Sequence, residues 1–292
     1  MMLALRKQRT IAAAVAVEGF GFWSGQDVRL EFRPAEPNSG IVFVRRDLSR
    51  PARIPAKAQY RVEIPRRTVL VHDGGRVEMV EHVMAALAGL GIDNCEVWTN
   101  AAEMPGLDGS SLPFVQALDT AGIVEQPATR GKLVVHSTTR LGTDESWVEA
   151  RPNGGLGFSA KYRLDYGANS PIGNQSLDMW ITPAAFRREL APARTFMLQE
   201  EGNWLLARGL GKRVTPQNVL VFAKSGLIDN QLRFADECVR HKLLDMVGDL
   251  ALAGVDLAGH FVAYRSGHRL NADLVQALIN QEEIVNTYRQ SA

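Results

Sequence analysis

Apolar and polar residues alternate along much of the first part of the chain. Val28, Leu30 and Phe32 alternate with Asp27, Arg29, Glu31 and Arg33, the period of two expected of a strand with one buried face. Arg33-Pro34 ends that strand, and residues 40–44 begin another. Over 77–90 the period lengthens. Val77, Val80, Met84 and Leu87 fall at helical spacing, and Gly89 and Gly91 then stop the helix. Pro113 opens a second helix over 114–118, which runs out near Gly122.

A polar stretch over 125–131 predicts a linker, after which the plan restarts with strands at 133–136, 147–150 and 157–166. In the last of these Phe158, Ala160, Tyr162 and Leu164 alternate with Ser159, Lys161, Arg163 and Asp165. Thr182-Pro183 has the form of an N-cap followed by proline at the first helical position. A short strand at 219–223, a long helix over 234–253, a strand at 260–264 and a closing helix over 271–288 follow. Each half thus holds strands, a helix ending in Ala-Gly (Ala88-Gly89, Ala253-Gly254), a strand and a last helix. The pattern predicts an α+β protein of two similar domains, 1–128 and 129–292, with a cleft between them.

Composition narrows the function. Apolar residues make up 46% and charged residues 22%, enough for a filled core and against disorder. A net charge of +1 gives no electrostatic reason to expect nucleic acid or an anionic membrane. No apolar run approaches the roughly 20 residues of a transmembrane helix. The two cysteines, Cys95 and Cys238, are too few for a disulfide framework or a thiolate cage, which points to the cytoplasm. Arg6, Lys7 and Arg9 precede an apolar run over 11–17. That run is short for a secretory signal and leads into Glu18 and a Gly-rich turn, so it predicts a first strand.

The long second-half helix carries candidate chemistry. Cys238, His241, Lys242, Asp245 and Asp249 form one polar stripe, with Val239, Leu243, Met246, Val247 and Leu250 on the apolar side. His241 and Asp245, four apart, can share a metal; they equally fit a solvated face with an ordinary His–Asp pair. Glu81-His82 sits in an apolar helix, where two ionisable groups are costly to bury without partners. A metal-bound histidine beside a free carboxylate places a base next to an activated water, although Glu81 facing solvent is the blander reading. His268 follows a strand through Ser266-Gly267, in the kind of turn that carries catalytic groups or a plain surface histidine. His72, His136 and His260 have no partner spacing and are assigned to structure. Gly19, Gly21 and Gly25 fail as a dinucleotide loop, because a strand follows them rather than a helix.

Several segments together resemble the UDP-3-O-acyl-N-acetylglucosamine deacetylase family, the zinc enzymes of lipid A synthesis. They are Glu81-His82-Val83-Met84 running on to Asp93-Asn94; Asp108-Gly109-Ser110 with Pro113-Phe114-Val115; and Ala193-Arg194-Thr195-Phe196. Val239-Arg240-His241-Lys242-Leu243-Leu244-Asp245 with Gly248-Asp249-Leu250, then Ser266-Gly267-His268 and Asn271, complete the set in the family's order. The resemblance implies two α+β domains with their helices packed between two sheets, and an acyl-passage insert near 194–218. It implies Zn2+ held by His82, His241 and Asp245, with Glu81 as general base and His268 as general acid oriented by Asp249. Thr195 would serve the oxyanion, Lys242 substrate charge, and Phe196, Phe22 and Trp23 the substrate, an acylated UDP-sugar losing its N-acetyl group. Departures fall on recognition positions. Trp23 stands for a common histidine, Ser146 for a common lysine, Ser170 for a frequent histidine, and Lys212-Arg213 lie in a usual Gly-Gly-Ser stretch. They leave room for a zinc amidohydrolase acting on another acylated amino sugar. A non-catalytic binding homologue is disfavoured by retention of Glu81.

Overall fold

Two five-strand arrangements of the same connectivity organise the chain in the computed structural model, which describes residues 5–282, 284 and 285. In the first, strands Val15–Phe20, Asp27–Pro34, Ile41–Arg45, Ala52–Pro55 and Cys95–Thr99 follow in sequence, and the last inserts between the second and third. It runs antiparallel to Asp27–Pro34 and parallel to Ile41–Arg45. In the second, Asp256–Tyr264 inserts in the same way between Trp147–Arg151, antiparallel, and Phe158–Asp165, parallel. Thr139–Gly142 and Asn174–Trp180 flank these, and Lys132–Val134 and Ile284–Val285 extend the sheet. The fold is α+β.

Each inserted strand is preceded and followed by a helix: Glu81–Leu90 and Leu112–Ala121, then Glu237–Leu250 and His268–Gln281. Helix Leu112–Ala121 packs on the first sheet, and Glu237–Leu250 and His268–Gln281 on the second. Glu81–Leu90 packs on Glu237–Leu250, so the order of contact is sheet, helices, helices, sheet. One continuous apolar core results. At the helix contact a Cβ on Gly248 would stand 2.1 Å from the Glu81 carbonyl oxygen. Glycine is therefore what lets the two backbones approach. Each half also inserts a small three-stranded sheet ahead of the helix that leads into its inserted strand: Arg61–Val62, Val69–His72 and Gly75–Glu78, then Phe196–Leu198, Leu220–Ala223 and Gly226–Leu227, the last set with helix Gln199–Leu206 between its first two strands.

Several expected boundaries move. The first-half helix begins at Glu81, because Val77 pairs with Leu70 in a strand and Met79 takes φ 59°. The polar segment after Gly122 is strand Ile123–Thr129, paired with Lys7–Ile11. Its own residues are half-buried or exposed, while Gln8, Thr10 and Ile11 of its partner strand are buried. The apolar run after Arg9 is divided between Lys7–Ile11 and Val15–Phe20. The long helix spans Glu237–Leu250 and continues as a 3-10 turn over Ala251–Ala253. The closing helix starts earlier, at His268, and ends at Gln281; residues 286–288 of the expected helix lie outside the described residues.

Candidate metal centre and cleft

A cleft of about 1020 Å³ lies where the helices and both small sheets meet. Glu81 and His82 reach it from the first turn of one helix, and His241, Lys242 and Asp245 from the middle of the facing one. His268 is the first residue of its own helix, whereas the sequence pattern suggested a free turn. Thr195, Phe196, Phe22 and Trp23 also line the cleft. Asp249 stands behind His268. His72, His136 and His260 do not line the cleft; His72 Nδ1 lies 2.9 Å from the Arg53 carbonyl, and His260 Nδ1 3.0 Å from Ser159 Oγ.

The stripe on helix Glu237–Leu250 is no solvated face: His241, Asp245 and Asp249 are all buried. Ligand atoms of His82, His241 and Asp245 lie within 4.8 Å of one another. Asp245 Oδ1 stands 3.5 Å from both imidazole Nε2 atoms and, although buried, accepts no hydrogen bond among the described residues. His241 Nδ1 donates to the Ala193 carbonyl, 3.1 Å away, which directs the lone pair of Nε2 toward the group. Burial pushes the His241 imidazole down to about 3, which keeps it neutral. Burial works against ionised Asp245, yet Lys242 and His241 hold its carboxyl well below the usual carboxylate range. Lys242 Nζ donates to Asp245 Oδ2 at 2.7 Å. Two buried imidazoles, that of His241 held neutral, and an ionised carboxylate with an orphaned oxygen are a donor set that fits a divalent cation.

Beside it, Glu81 is 2% exposed, and burial pushes its carboxyl up, opposed by His268 and His82. Its Oε2 accepts from the Thr68 N–H at 3.0 Å, and its Oε1 faces His268 Nε2 at 3.9 Å. His268 Nδ1 donates to Asp249 Oδ2 at 2.9 Å. Burial disfavours the imidazolium, but Asp249 and Glu81 outweigh it and raise His268 to about 9. Asn271 Nδ2 donates to the same Asp249 oxygen at 2.9 Å, and Thr68 Oγ1 to the other at 2.6 Å. Thr68 therefore holds both Glu81 and Asp249. Nothing in its sequence context marked it: it lies between elements, and its bond to Asp249 spans 181 positions.

The turn at residues 21–25 wraps a carboxylate. Trp23 and Ser24 N–H donate to Glu103 at 2.7 and 2.8 Å, and a Cβ on Gly21 would meet Glu103 Oε2 at 2.4 Å. This presents the Trp23 indole to the cleft, under the Arg67 guanidinium and with its N–H on Met79 Sδ. Phe196 packs against His241, ring centroids 6.2 Å apart. Among the other departures, Ser146 Oγ donates to the Arg265 carbonyl, and Arg213 pairs with Asp27.

Residues 8–280 match the model of a family described as UDP-3-O-acyl N-acetylglycosamine deacetylase. Relatives named UDP-3-O-acyl-N-acetylglucosamine deacetylase are similar over nearly the whole length. The protein from Shewanella violacea is 40% identical over 281 residues, covering 94% of this chain and 90% of its own. That from Myxococcus xanthus is 39% identical over 274 residues, covering 94% and 86%.

Proposed function

This chain belongs to the UDP-3-O-acyl-N-acetylglucosamine deacetylase family, and on that premise we propose that it hydrolyses the N-acetyl group of a UDP-3-O-acyl-N-acetylglucosamine, releasing acetate, the committed step of lipid A biosynthesis. The observation that carries the reading is the juxtaposition of the His82, His241 and Asp245 donor set with Glu81 and His268 on one cleft. The metal is zinc, and the compartment is the cytoplasm, in keeping with two unpaired cysteines. The repeated strand order supports a division into units 1–128 and 129–292.

His82, His241 and Asp245 would hold the zinc, which when bound would supply Lewis-acid polarisation of the amide carbonyl and a water acidified to a pKa of about 7. Glu81, fixed through one oxygen by Thr68, turns the other toward the cleft and takes the proton of the attacking water. His268, kept protonated by Asp249, gives its proton to the departing amine. Thr195 serves the developing oxyanion, and Lys242, anchored on Asp245, adds positive charge beside it. Phe22, Trp23 and Phe196, with the apolar Leu205, Leu210 and Val214, give the acyl chain its wall. Each buried methylene contributes roughly 0.8 kcal/mol, or about fourfold in affinity. Turnover of substrates of decreasing acyl length tests this: kcat/KM should fall steeply, and equal turnover of the sugar nucleotide without its acyl chain would refute it.

A further inference from the structure

Arg194 stands between Ala193, whose carbonyl accepts from His241 Nδ1 at 3.1 Å, and Thr195 on the cleft, yet does not line the cleft itself. Its guanidinium is buried against Glu237, the first residue of helix Glu237–Leu250, which is fully buried as well. Arg194 Nε donates to Glu237 Oε1 at 2.8 Å and Nη2 to Oε2 at 3.1 Å. The Arg194 N–H donates to the same Oε1 at 3.0 Å. Asn230 Oδ1 and the Gln231 carbonyl accept from the guanidinium at 2.9 and 2.7 Å, and Glu237 Oε2 also accepts from the Arg233 N–H at 2.6 Å.

Glu237, His241 and Asp245 follow one another at intervals of four, so the anchor lies one turn before the first candidate ligand on the same helix face. Thr195 is fastened on its other side. Its N–H donates to the Gly109 carbonyl at 2.7 Å, and its own carbonyl accepts from the Leu220 N–H at 2.9 Å. A Cβ on Gly109, at φ 82°, would stand 2.2 Å from the Asn218 carbonyl oxygen, so glycine is what admits this approach. Residues 193–195 thus bond in turn to His241, Glu237 and Gly109. A buried ion pair adds little net stability over apolar residues of like volume. Its use here is geometric.

We propose that Arg194 and Glu237 are positioning residues: the pair keeps the Ala193 carbonyl on His241 and Thr195 beside the reacting amide in one fixed arrangement. The inference rests on the deacetylase reading for the role of Thr195. A carbonyl on the far nitrogen of a ligating imidazole fixes its tautomer and ring orientation. Neither Arg194 nor Glu237 touches the metal or moves a proton.

The test measures zinc affinity of the full chain by competition with a chelator, then kcat and KM at saturating zinc. Glu237→Gln keeps the shape but turns an N–H2 group toward Arg194 or Arg233. It should weaken zinc binding by about 10- to 100-fold. It should also lower kcat with little change in KM, because an oxyanion donor acts on the transition state. Arg194→Lys keeps the charge but not the planar fork and should fall between. Arg6→Gln breaks another ion-pair group, with Asp93 and Asp256, off the cleft lining, and should leave zinc affinity unmoved. Wild-type zinc affinity and kcat in Glu237→Gln overturn the proposal. An equal loss of zinc affinity in Arg6→Gln also overturns it, by tracing the effect to general stability. If Glu237→Gln does not fold, Arg194→Met combined with Glu237→Leu decides, because an apolar pair can restore packing without the fork. Weakened zinc binding in that folded double variant supports the proposal; wild-type zinc binding, or loss of the fold there too, overturns it. If zinc affinity falls as expected while the wild type releases no acetate from the sugar nucleotide, the hold on His241 stands and the deacetylase reading falls.

Discussion

Replacing Asp249 by asparagine removes the charge that holds the proton on His268 while keeping its shape. The carboxylate accepts three hydrogen bonds besides Coulombic pairing: from His268 Nδ1, Asn271 Nδ2 and Thr68 Oγ1. An amide can still accept from Thr68, but its other end presents N–H to His268, which favours the neutral ring. His268 should then fall from about 9 toward the ordinary value of about 6.5. At pH 8 the protonated fraction drops from roughly 0.9 to roughly 0.03, a loss of about 30-fold in turnover from protonation alone. At pH 6 both enzymes keep most of the proton, so the same substitution costs far less. The assay is kcat against pH for both proteins, with metal content measured alongside. An Asp249→Asn enzyme slowed by the same factor at pH 6 and pH 8, with its basic limb in place, would refute the reasoning. The linkage also acts on stability. His268 binds its proton more tightly folded than unfolded, so its contribution is full below about 6.5 and is lost as pH rises through about 9.

Two further outcomes follow from geometry. Gly248→Ala drives a methyl group onto the Glu81 carbonyl at 2.1 Å and should cost about 1–3 kcal/mol of stability from overpacking; a thermal midpoint equal to the wild type would show that the helices can part freely. Thr68→Val keeps the N–H to Glu81 but removes the hydroxyl from Asp249, so kcat should fall more than KM changes and Thr68→Ser should restore it. Equal activity of the valine and serine enzymes would contradict that role.

The candidate metal group is partly legible because His241 and Asp245 share one helix, where a spacing of four fixes their geometry before any tertiary contact. His82 approaches from another helix, and no local pattern joins the two. Whether the stripe faced solvent or the cleft depended on the Glu81–Leu90 helix packed against it, so burial stayed open until the fold was seen. The strand at Ile123–Thr129 is hidden for a similar reason: its partner is Lys7–Ile11, more than a hundred positions away, and Glu125, Gln126 and Pro127 interrupt its apolar residues. Thr68 carries no motif at all. The meaning of Thr68 comes from the acid–base pair it touches, Glu81 through its N–H and Asp249 through its hydroxyl. The alternation around Phe158 to Asp165 was legible because one face of that strand is buried along its length.

On the proposed reading, amide hydrolysis here runs on a metal held by His82, His241 and Asp245. The most direct test strips the chain with a chelator, titrates zinc back, and follows acetate release from UDP-3-O-acyl-N-acetylglucosamine against bound metal. Turnover should rise in proportion to occupancy and level off at about one zinc per chain, with folded structure kept throughout because the core needs no metal staple. His241→Ala should bind little zinc and release no acetate. Full turnover by the stripped chain, or by His241→Ala, would contradict it.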